Sequence, residues 1–376
     1  MKWNEQLFQT PSYHEAPGFD YRDDVKPFFY DCGTWQGKPV RAFAWIGFPK
    51  GNPGKCPGIV LVHGGGGTAF PDWVKLWNER GYAAIAMDNC GGVPCWNESP
   101  YGRPRWPRHQ FSGPAGWGNF ADASLPPAEQ WPYQAAASVI AAHSLLRSFP
   151  QVDADRIGIT GVSWGGVLTC ICAGADPRFA FAAPVYGCGF MEPEQLEPQV
   201  KAEDAAKWLE LWEPSRYLAQ AKMPFLWITG TNDFAFPFAS TVKSAKLLRE
   251  KSALALIVRM VHGHGGVSEK PEEIHNFANR ITKHATAMDA PEFSVCQPAD
   301  GRLRIQCRTD WEIKSADLNY TTEGGEWKGR NWQTIPAEIT GEDISAALPG
   351  NAKSWYFNVF SASGLTFSSM PEIAEE

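Results

Sequence analysis

Hydrophobic and polar positions follow two different patterns along this chain, and the change falls near residue 289. Before it, short unbroken apolar runs stand between segments of helical period. The runs "GIVLV" (58–62), "YAAIAMD" (82–88), "FAFAAPVYG" (179–187), "PFLWITG" (224–230) and "ALALIVRM" (253–260) present no polar face. That is the pattern of strands buried on both sides of a parallel sheet. "RIGITGVS" (156–163) reads as a further strand. The stretch "PDWVKLWNERG" (71–81) predicts a helix ended by Gly81. "YQAAASVIAAHSLLRSF" (133–149) predicts another, with Val139, Ile140, His143 and Leu146 on one face. "GGVLTCICAGA" (165–175) is a helix of small residues that can pack closely on a sheet, and "PEEIHNFANRITKHA" (271–285) is a closing helix. Strands alternating with helices predict an α/β fold on a mostly parallel sheet. Residues 25–48, two apolar runs around a glycine turn, predict a β-hairpin at its start.

Two segments interrupt the alternation. Residues 90–131 are rich in Gly, Pro and aromatics and have no period. A long irregular stretch inside a compact domain is usually functional or disordered. Its aromatic residues Trp96, Tyr101, Trp106, Phe111 and Trp117 favour an ordered loop over a pocket. Trp96, Tyr101, Trp106 and Trp117 are therefore expected to bind substrate. Residues 190–220 are polar with helical spacing and read as a second, cap-like insertion. From residue 289 onward, "PEFSVCQPADGRLRIQCRTDWEIKSADLNYTTEGGEWKG" and "SWYFNVFSASGLTFSS" alternate apolar and polar positions between turn signals. That pattern predicts an antiparallel, immunoglobulin- or fibronectin-like β-sandwich over 289–376, behind a catalytic domain of residues 1–288. No repeat of 20–50 residues is present.

Composition narrows the function classes. The chain is 44% hydrophobic and 20% charged, enough for a sizeable core. Net charge is −7 with no long basic run, which argues against nucleic acid as a partner. No apolar stretch reaches the length of a membrane span, so no membrane partner is expected. The start, "MKWNEQLFQTPSYHEAPG", lacks an apolar signal core. A cytoplasmic location is expected for the chain as it stands, and a secreted or periplasmic one if a leader has been removed. The nine cysteines form no CxxC pair and no zinc-like cluster, and no cofactor is expected. Most read as buried thiols. Cys296 and Cys307 flank the turn "PADG", where a disulfide across a hairpin is an open alternative.

The candidate chemistry begins at "GITGVSWGG" (158–166), which places Ser163 between a strand and a helix. A serine hydroxyl needs a base to become a nucleophile, and it must project from the sheet. A sharp strand-to-helix turn does this, with glycines removing the side chains that would collide. An acid and a histidine should follow in the order Ser, Asp, His. Asp233 stands at the end of "FLWITGTND", where an Asx turn is the competing structural reading. His262 and His264 stand just beyond "ALIVRMV". His264, deeper in the loop and followed by Gly265, is the expected base, with His262 the close alternative. The oxyanion needs two backbone N–H donors. Trp164 is expected to supply one, and Gly65 or Gly66 of "HGGGG" (63–67) the other. The glycine run has no GKS/T after it and no GxGxxG, so it does not read as a phosphate loop.

"HGGGG", "GVSWGG", "GTND" and "HGHGG", in this order, resemble the α/β-hydrolase superfamily over residues 40–288. Within it they are most similar to its prolyl-oligopeptidase, dienelactone-hydrolase and acetyl-xylan-esterase-like branches. "SFPQVDADRIGITGVSWGG" especially resembles the approach to the elbow in the last of these. The resemblance implies a Ser163–Asp233–His264 triad and no metal. Trp164 departs from it, because many esterases of that group carry glutamine there, and the C-terminal sandwich is not part of the basic fold. The expected function is a serine carboxylic-ester hydrolase acting on a small-molecule or carbohydrate ester, with a deacetylase of sugars or polysaccharides as the specific form. A prolyl-oligopeptidase-type peptidase is the alternative, although such enzymes carry a propeller before the core and only about 50 residues precede it here. Dienelactone or halide hydrolysis and an inactive hydrolase-fold binding protein are further readings.

Overall fold

The computed structural model describes residues 1–376 except 20, 22–23, 52–53, 96–105, 116–121, 197–200, 283–286, 300–301 and 375–376. They form two compact units, Met1–Met223 and Pro224–Glu376.

In the first unit, β1 (Tyr13–Glu15), β2 (Val25–Trp35) and β3 (Lys38–Gly47) form an antiparallel ribbon. The predicted hairpin turns at Gln36 and Gly37, both at positive φ, which matches the twist of the strands it joins. Next come β4 (Cys56–Val62), α1 (Pro71–Glu79), β5 (Ala83–Met87), α2 (Trp131–Ser148), β6 (Val152–Val162), α3 (Trp164–Ala175) and β7 (Ala182–Val185). The order β3-β5-β4-β6-β7 is parallel from β5 onward, with β3 antiparallel to β5. Every residue of β4, β5 and β7 is buried, as their unbroken apolar runs require. Helix α2 is buried nearly all round. Its His143 lies on Asp176 at 2.8 Å, and Arg178 takes the same carboxylate at 2.7 Å, so these buried charges are matched. The 190–220 segment forms α4 (Pro193–Leu196), α5 (Ala202–Trp212) and α6 (Ser215–Leu218). Trp208 and Trp212 of α5 are fully buried, so the polar texture of this segment covers only one side of it.

The second unit contains β8 (Phe225–Gly230), α7 (Phe238–Leu248), β9 (Ser252–Ile257) and α8 (Glu272–Thr282), with β8 and β9 parallel. Two antiparallel sheets follow. One runs β10 (Glu292–Ala299), β11 (Arg302–Arg308), β15 (Asp343–Ala347), β14 (Glu338–Thr340). The other runs β13 (Gln333–Pro336), β12 (Ile313–Thr321), β16 (Ser354–Ser361), β17 (Thr366–Ser368), with β18 (Glu372–Ile373) also on β16. Leu303, Ile305 and Ile344 of the first sheet share one core with Leu318, Phe357, Val359 and Phe367 of the second. This is the sandwich that the alternation predicts. Cys296 stands opposite Arg304 and Cys307 opposite Phe293, and the Cys307 thiol is free, so the strand register does not pair the two cysteines.

Compactness breaks at 223/224, while the change of pattern lies at 289. The expected boundary at residue 288 coincides with the start of the antiparallel sheets and lies inside the second compact unit. Side chains of the sandwich take the backbone of β9: Ser368 Oγ accepts from Leu256 N at 2.8 Å, and Asn358 Nδ2 donates to Leu256 O at 3.0 Å. Phe238 of α7 packs on Trp327, Trp332 and Tyr356 with ring centroids 5.3–5.8 Å apart.

Candidate active site

Ser163 sits between β6 and α3 at φ 58°, ψ −120°, a conformation costly for a residue with a Cβ. Glycines make the turn possible. A Cβ on Gly161 would lie 2.2 Å from Gly165 O, and one on Gly165 would lie 2.0 Å from Val62 O. A Cβ on Gly187 would lie 2.1 Å from Ser163 O. The start of α3 is thus pressed against the end of β4, where the glycine run begins. Trp164 opens α3, its ring edge-on to Trp131 at 6.1 Å and to Trp208 at 5.8 Å.

The run His63–Gly67 forms a turn closed by Gly67 N on Gly64 O at 3.1 Å, with Gly66 at φ 74°. His63 Nε2 accepts from Asn89 N at 3.0 Å, which leaves its proton on Nδ1 to reach Gly64 O at 2.8 Å. Asp88 ties the turn to the following loop: it accepts from Thr68 Oγ1 at 2.8 Å and from Gly92 N at 2.7 Å. Trp106 Nε1 donates to Gly66 O at 3.1 Å. Of the four aromatic residues expected to bind substrate, Trp106 is thus at the glycine turn, holding it by a hydrogen bond. Trp96, Tyr101 and Trp117 lie outside the described residues. Gly65 is half-buried and Gly66 exposed, so the turn faces solvent.

In the second unit, the loop after β8 carries Asp233, which is 3% exposed. Its two oxygens make different contacts. Oδ1 accepts from Ala235 N and Phe236 N, each at 2.8 Å, in an Asx-type turn. Oδ2 lies 2.6 Å from His262 Nδ1. The expectation that His264 partners Asp233 is therefore corrected: His264 Nδ1 lies 2.7 Å from Glu269 Oε1. The physical reason is local. Glu269 also accepts from Gly265 N at 3.1 Å and Gly266 N at 2.7 Å, so the loop folds back on it and turns His264 with it. Burial pushes the Glu269 carboxyl up, but His264 and the two N–H groups outweigh it and hold the group below its ordinary value. Phe234 packs on the His262 ring at 4.8 Å and is itself 70% exposed.

Beside this pair lies a cavity of about 390 Å³, lined by Asp233, Phe234, Arg259, Val261, His262 and the 328–331 loop among others. Sequence reasoning did not find that loop, whose composition reads as an ordinary sandwich turn. Asn232 holds it, donating from Nδ2 to Arg330 O at 2.7 Å and Lys328 O at 3.2 Å. The only sequence signal was adjacency, since Asn232 precedes the candidate acid. Among the described residues, no group of three or more His, Cys, Asp or Glu side chains is placed to hold a metal, and no helix is long and apolar enough to cross a membrane.

Two family models match the chain: Acetyl xylan esterase over residues 23–196 and Prolyl oligopeptidase family over residues 127–285. The first takes in the glycine turn and the elbow, and the second takes in the elbow, Asp233 and both histidines. A curated relative, dipeptidyl-peptidase 5 of Porphyromonas gingivalis, is 28% identical over 202 residues, 48% of this chain and 26% of the relative. The chain thus spans about a quarter of that relative's length. An acetyl xylan esterase from Paenibacillus sp. R4 has a TM-score of 0.57 at 22% identity, over 74% of this chain and 92% of that one. Acetyl xylan esterase 1 from Thermoanaerobacterium sp. JW/SL YS485 gives 0.53 at 16%, over 74% and 92%. An acylaminoacyl peptidase of Pyrococcus horikoshii gives 0.51 at 18%, over 71% and 43%. At these identities the likeness to the solved structures is one of fold.

Proposed function

Because the chain is a member of the α/β-hydrolase superfamily whose matched families support a serine hydrolase, we propose that it cleaves carboxylic esters through an acyl-enzyme, with Ser163 as nucleophile. The observation that carries this reading is the strained, glycine-enclosed elbow at Ser163. The base is His262, because it is the histidine whose Nδ1 meets the buried Asp233 carboxylate. Asp233 fixes the tautomer, leaves Nε2 to take the Ser163 proton, and stabilises the imidazolium that forms. Ser163 Oγ attacks the acyl carbon, and the carbonyl oxygen becomes an oxyanion. The N–H groups of Trp164 and of Gly65 or Gly66 are the proposed donors to it. Collapse expels the alcohol, protonated by His262, and a water then releases the acid by the same route.

An acetylated sugar or polysaccharide is the proposed substrate form. The match to the Acetyl xylan esterase family over residues 23–196 supports it. The second reading is a serine peptidase, favoured by the Prolyl oligopeptidase family match over 127–285. The test is a panel of acetyl, butyryl and octanoyl esters, acetylated xylo-oligosaccharides and dipeptidyl amides. The reading predicts acetyl-ester turnover that falls by about 10³-fold or more in Ser163→Ala. Faster cleavage of the amides than of the acetyl esters would select the peptidase instead.

A further inference from the structure

The cavity beside His262 has a charge that ester hydrolysis alone does not require. Its lining includes three cationic side chains, Arg259, Lys328 and Arg330, against one carboxylate, Asp233. That carboxylate is already committed to His262 and to two backbone N–H groups. Arg330 is buried, with its guanidinium over the Trp327 ring at 3.6 Å and on Gly325 O at 2.7 Å. It stiffens the loop. Lys328 is exposed and pairs with exposed Glu326 at 3.0 Å, a contact worth little in water.

Arg259 is the informative residue. It holds φ 55°, the left-handed region that most residues avoid. Its N–H donates to Thr231 Oγ1 at 3.0 Å, which fixes that conformation. Its Nη2 donates to Asn331 Oδ1 at 2.6 Å and to Trp332 O at 3.2 Å. Both acceptors are neutral. Among the described residues no carboxylate lies within ion-pair distance of it, and its Nε and Nη1 protons have no acceptor. A guanidinium held in place, with donors to spare and no counter-charge, is organised to receive an anion. Phe234 and Val261, each 70% exposed, supply an apolar face to the same cavity. Its volume of about 390 Å³ falls within the range of small-molecule sites.

We propose that this cavity is a substrate subsite that recognises a carboxylate, with Arg259 as the anion-binding residue and Lys328 as its second cation. The preferred substrate is then an ester bearing a carboxylate next to an aromatic or sugar ring, the ring lying on Phe234 and Val261. The sandwich supplies specificity in this scheme, because Lys328 and the Asn331 that holds Arg259 both belong to its β12–β13 loop. The inference rests on the reading of His262 as the catalytic base.

The test separates binding from turnover. The full chain carrying Ser163→Ala is titrated with 4-acetoxybenzoate and with 4-acetoxybenzamide, which share ring and acetyl group and differ in charge. The benzoate should bind about tenfold more tightly at low salt, and the preference should shrink as ionic strength rises. Arg259→Gln in the same background should abolish most of the preference, and Arg259→Lys should restore part of it. Lys328→Gln, at an exposed position that leaves the loop bonds intact, should reduce it about threefold. Equal affinities, or a preference that survives both neutral variants, would overturn the proposal. Tighter binding of phenyl phosphate than of benzoate would overturn the carboxylate assignment. Failure of the esterase reading shows separately, as turnover of acetyl esters that Ser163→Ala leaves unchanged.

Discussion

At Ser163 the backbone does the positioning, whereas at His262 a side chain does. The elbow is held by glycines that have no room for a Cβ, and its serine accepts a strained φ because strand and helix fix both ends. The histidine loop has room for a Cβ at Gly263 and is specific in its side-chain pairs. Two imidazoles two residues apart each meet a different carboxylate, at 2.6 and 2.7 Å. A motif in the sequence can encode the first kind of site, because glycine spacing is local. It encodes the second kind poorly, because the pairing depends on how the loop folds back.

The strongest way to break this comparison is to remove each of the two histidines in turn. His262→Ala should lower kcat/KM for acetyl esters by about 10³-fold or more, since the base and its orienting acid act as a unit. His264→Ala should cost less than about tenfold, because its carboxylate is Glu269, which ties the loop to itself. Steady-state rates on one ester read both. Equal losses would mean that the loop rearranges in catalysis and that the observed pairing is not the working one.

Glycine substitutions sharpen the same contrast. Gly165→Ala puts a Cβ 2.0 Å from Val62 O and 2.7 Å from His63 O, both backbone atoms that cannot move cheaply. A loss of about 3–5 kcal/mol in denaturant unfolding, or failure to fold, is expected. Gly263 has nothing within 4 Å of its would-be Cβ, so Gly263→Ala should change stability by less than about 0.5 kcal/mol. A severe effect at Gly263 would show that the histidine loop too is set by its backbone.

Ser368→Ala tests why the last parallel strands belong with the sandwich. It leaves Leu256 N–H buried without its acceptor and also removes the 2.6 Å bond to Asn358. The expected cost is about 1–3 kcal/mol in chemical denaturation. A truncation near residue 288 removes Asn358, Ser368 and the Phe238 partners together, so it should unfold β9 and α7. A folded, stable truncation would restore residue 288 as a true domain boundary.

The smallest effect concerns pH and lies in the other unit. Burial is the main cause that lowers the His109 pKa from 6.5 to about 4. Among the described residues neither ring nitrogen has a hydrogen-bond partner, and the ring packs on Phe29 at 4.9 Å. The folded state therefore disfavours the proton that the unfolded chain binds. This contribution is complete above about pH 6.5 and is lost as pH falls toward 4. At a half-buried site it amounts to about 1–2 kcal/mol after solvent screening. The melting temperature of wild type should therefore fall relative to that of His109→Phe as pH drops from 7 to 4, and a difference that does not change with pH would contradict this.

The elements were largely legible because unbroken apolar runs and helical periods reflect burial directly. The elbow was legible for the same local reason, and Asp233 stood out as the acid ending a strand. What was not legible depended on side chains distant in sequence. The partner of Asp233 turned on Glu269, which no motif marks, and the packing boundary turned on Ser368 and Asn358 reaching Leu256. The cationic wall of the cavity came from Lys328 and Arg330, in a sandwich loop whose sequence suggests only a turn. In the 90–131 loop, Trp106 proved to hold the glycine turn, a role that its aromatic character did not indicate.

The most direct test of the central claim is covalent labelling with a fluorophosphonate, followed by peptide mapping and rate measurement. The account predicts a single adduct on Ser163, formed at near wild-type rate in His264→Ala and slowed by about 10³-fold in His262→Ala. An adduct on another residue, or a His264→Ala variant that fails to label while His262→Ala still does, would contradict it.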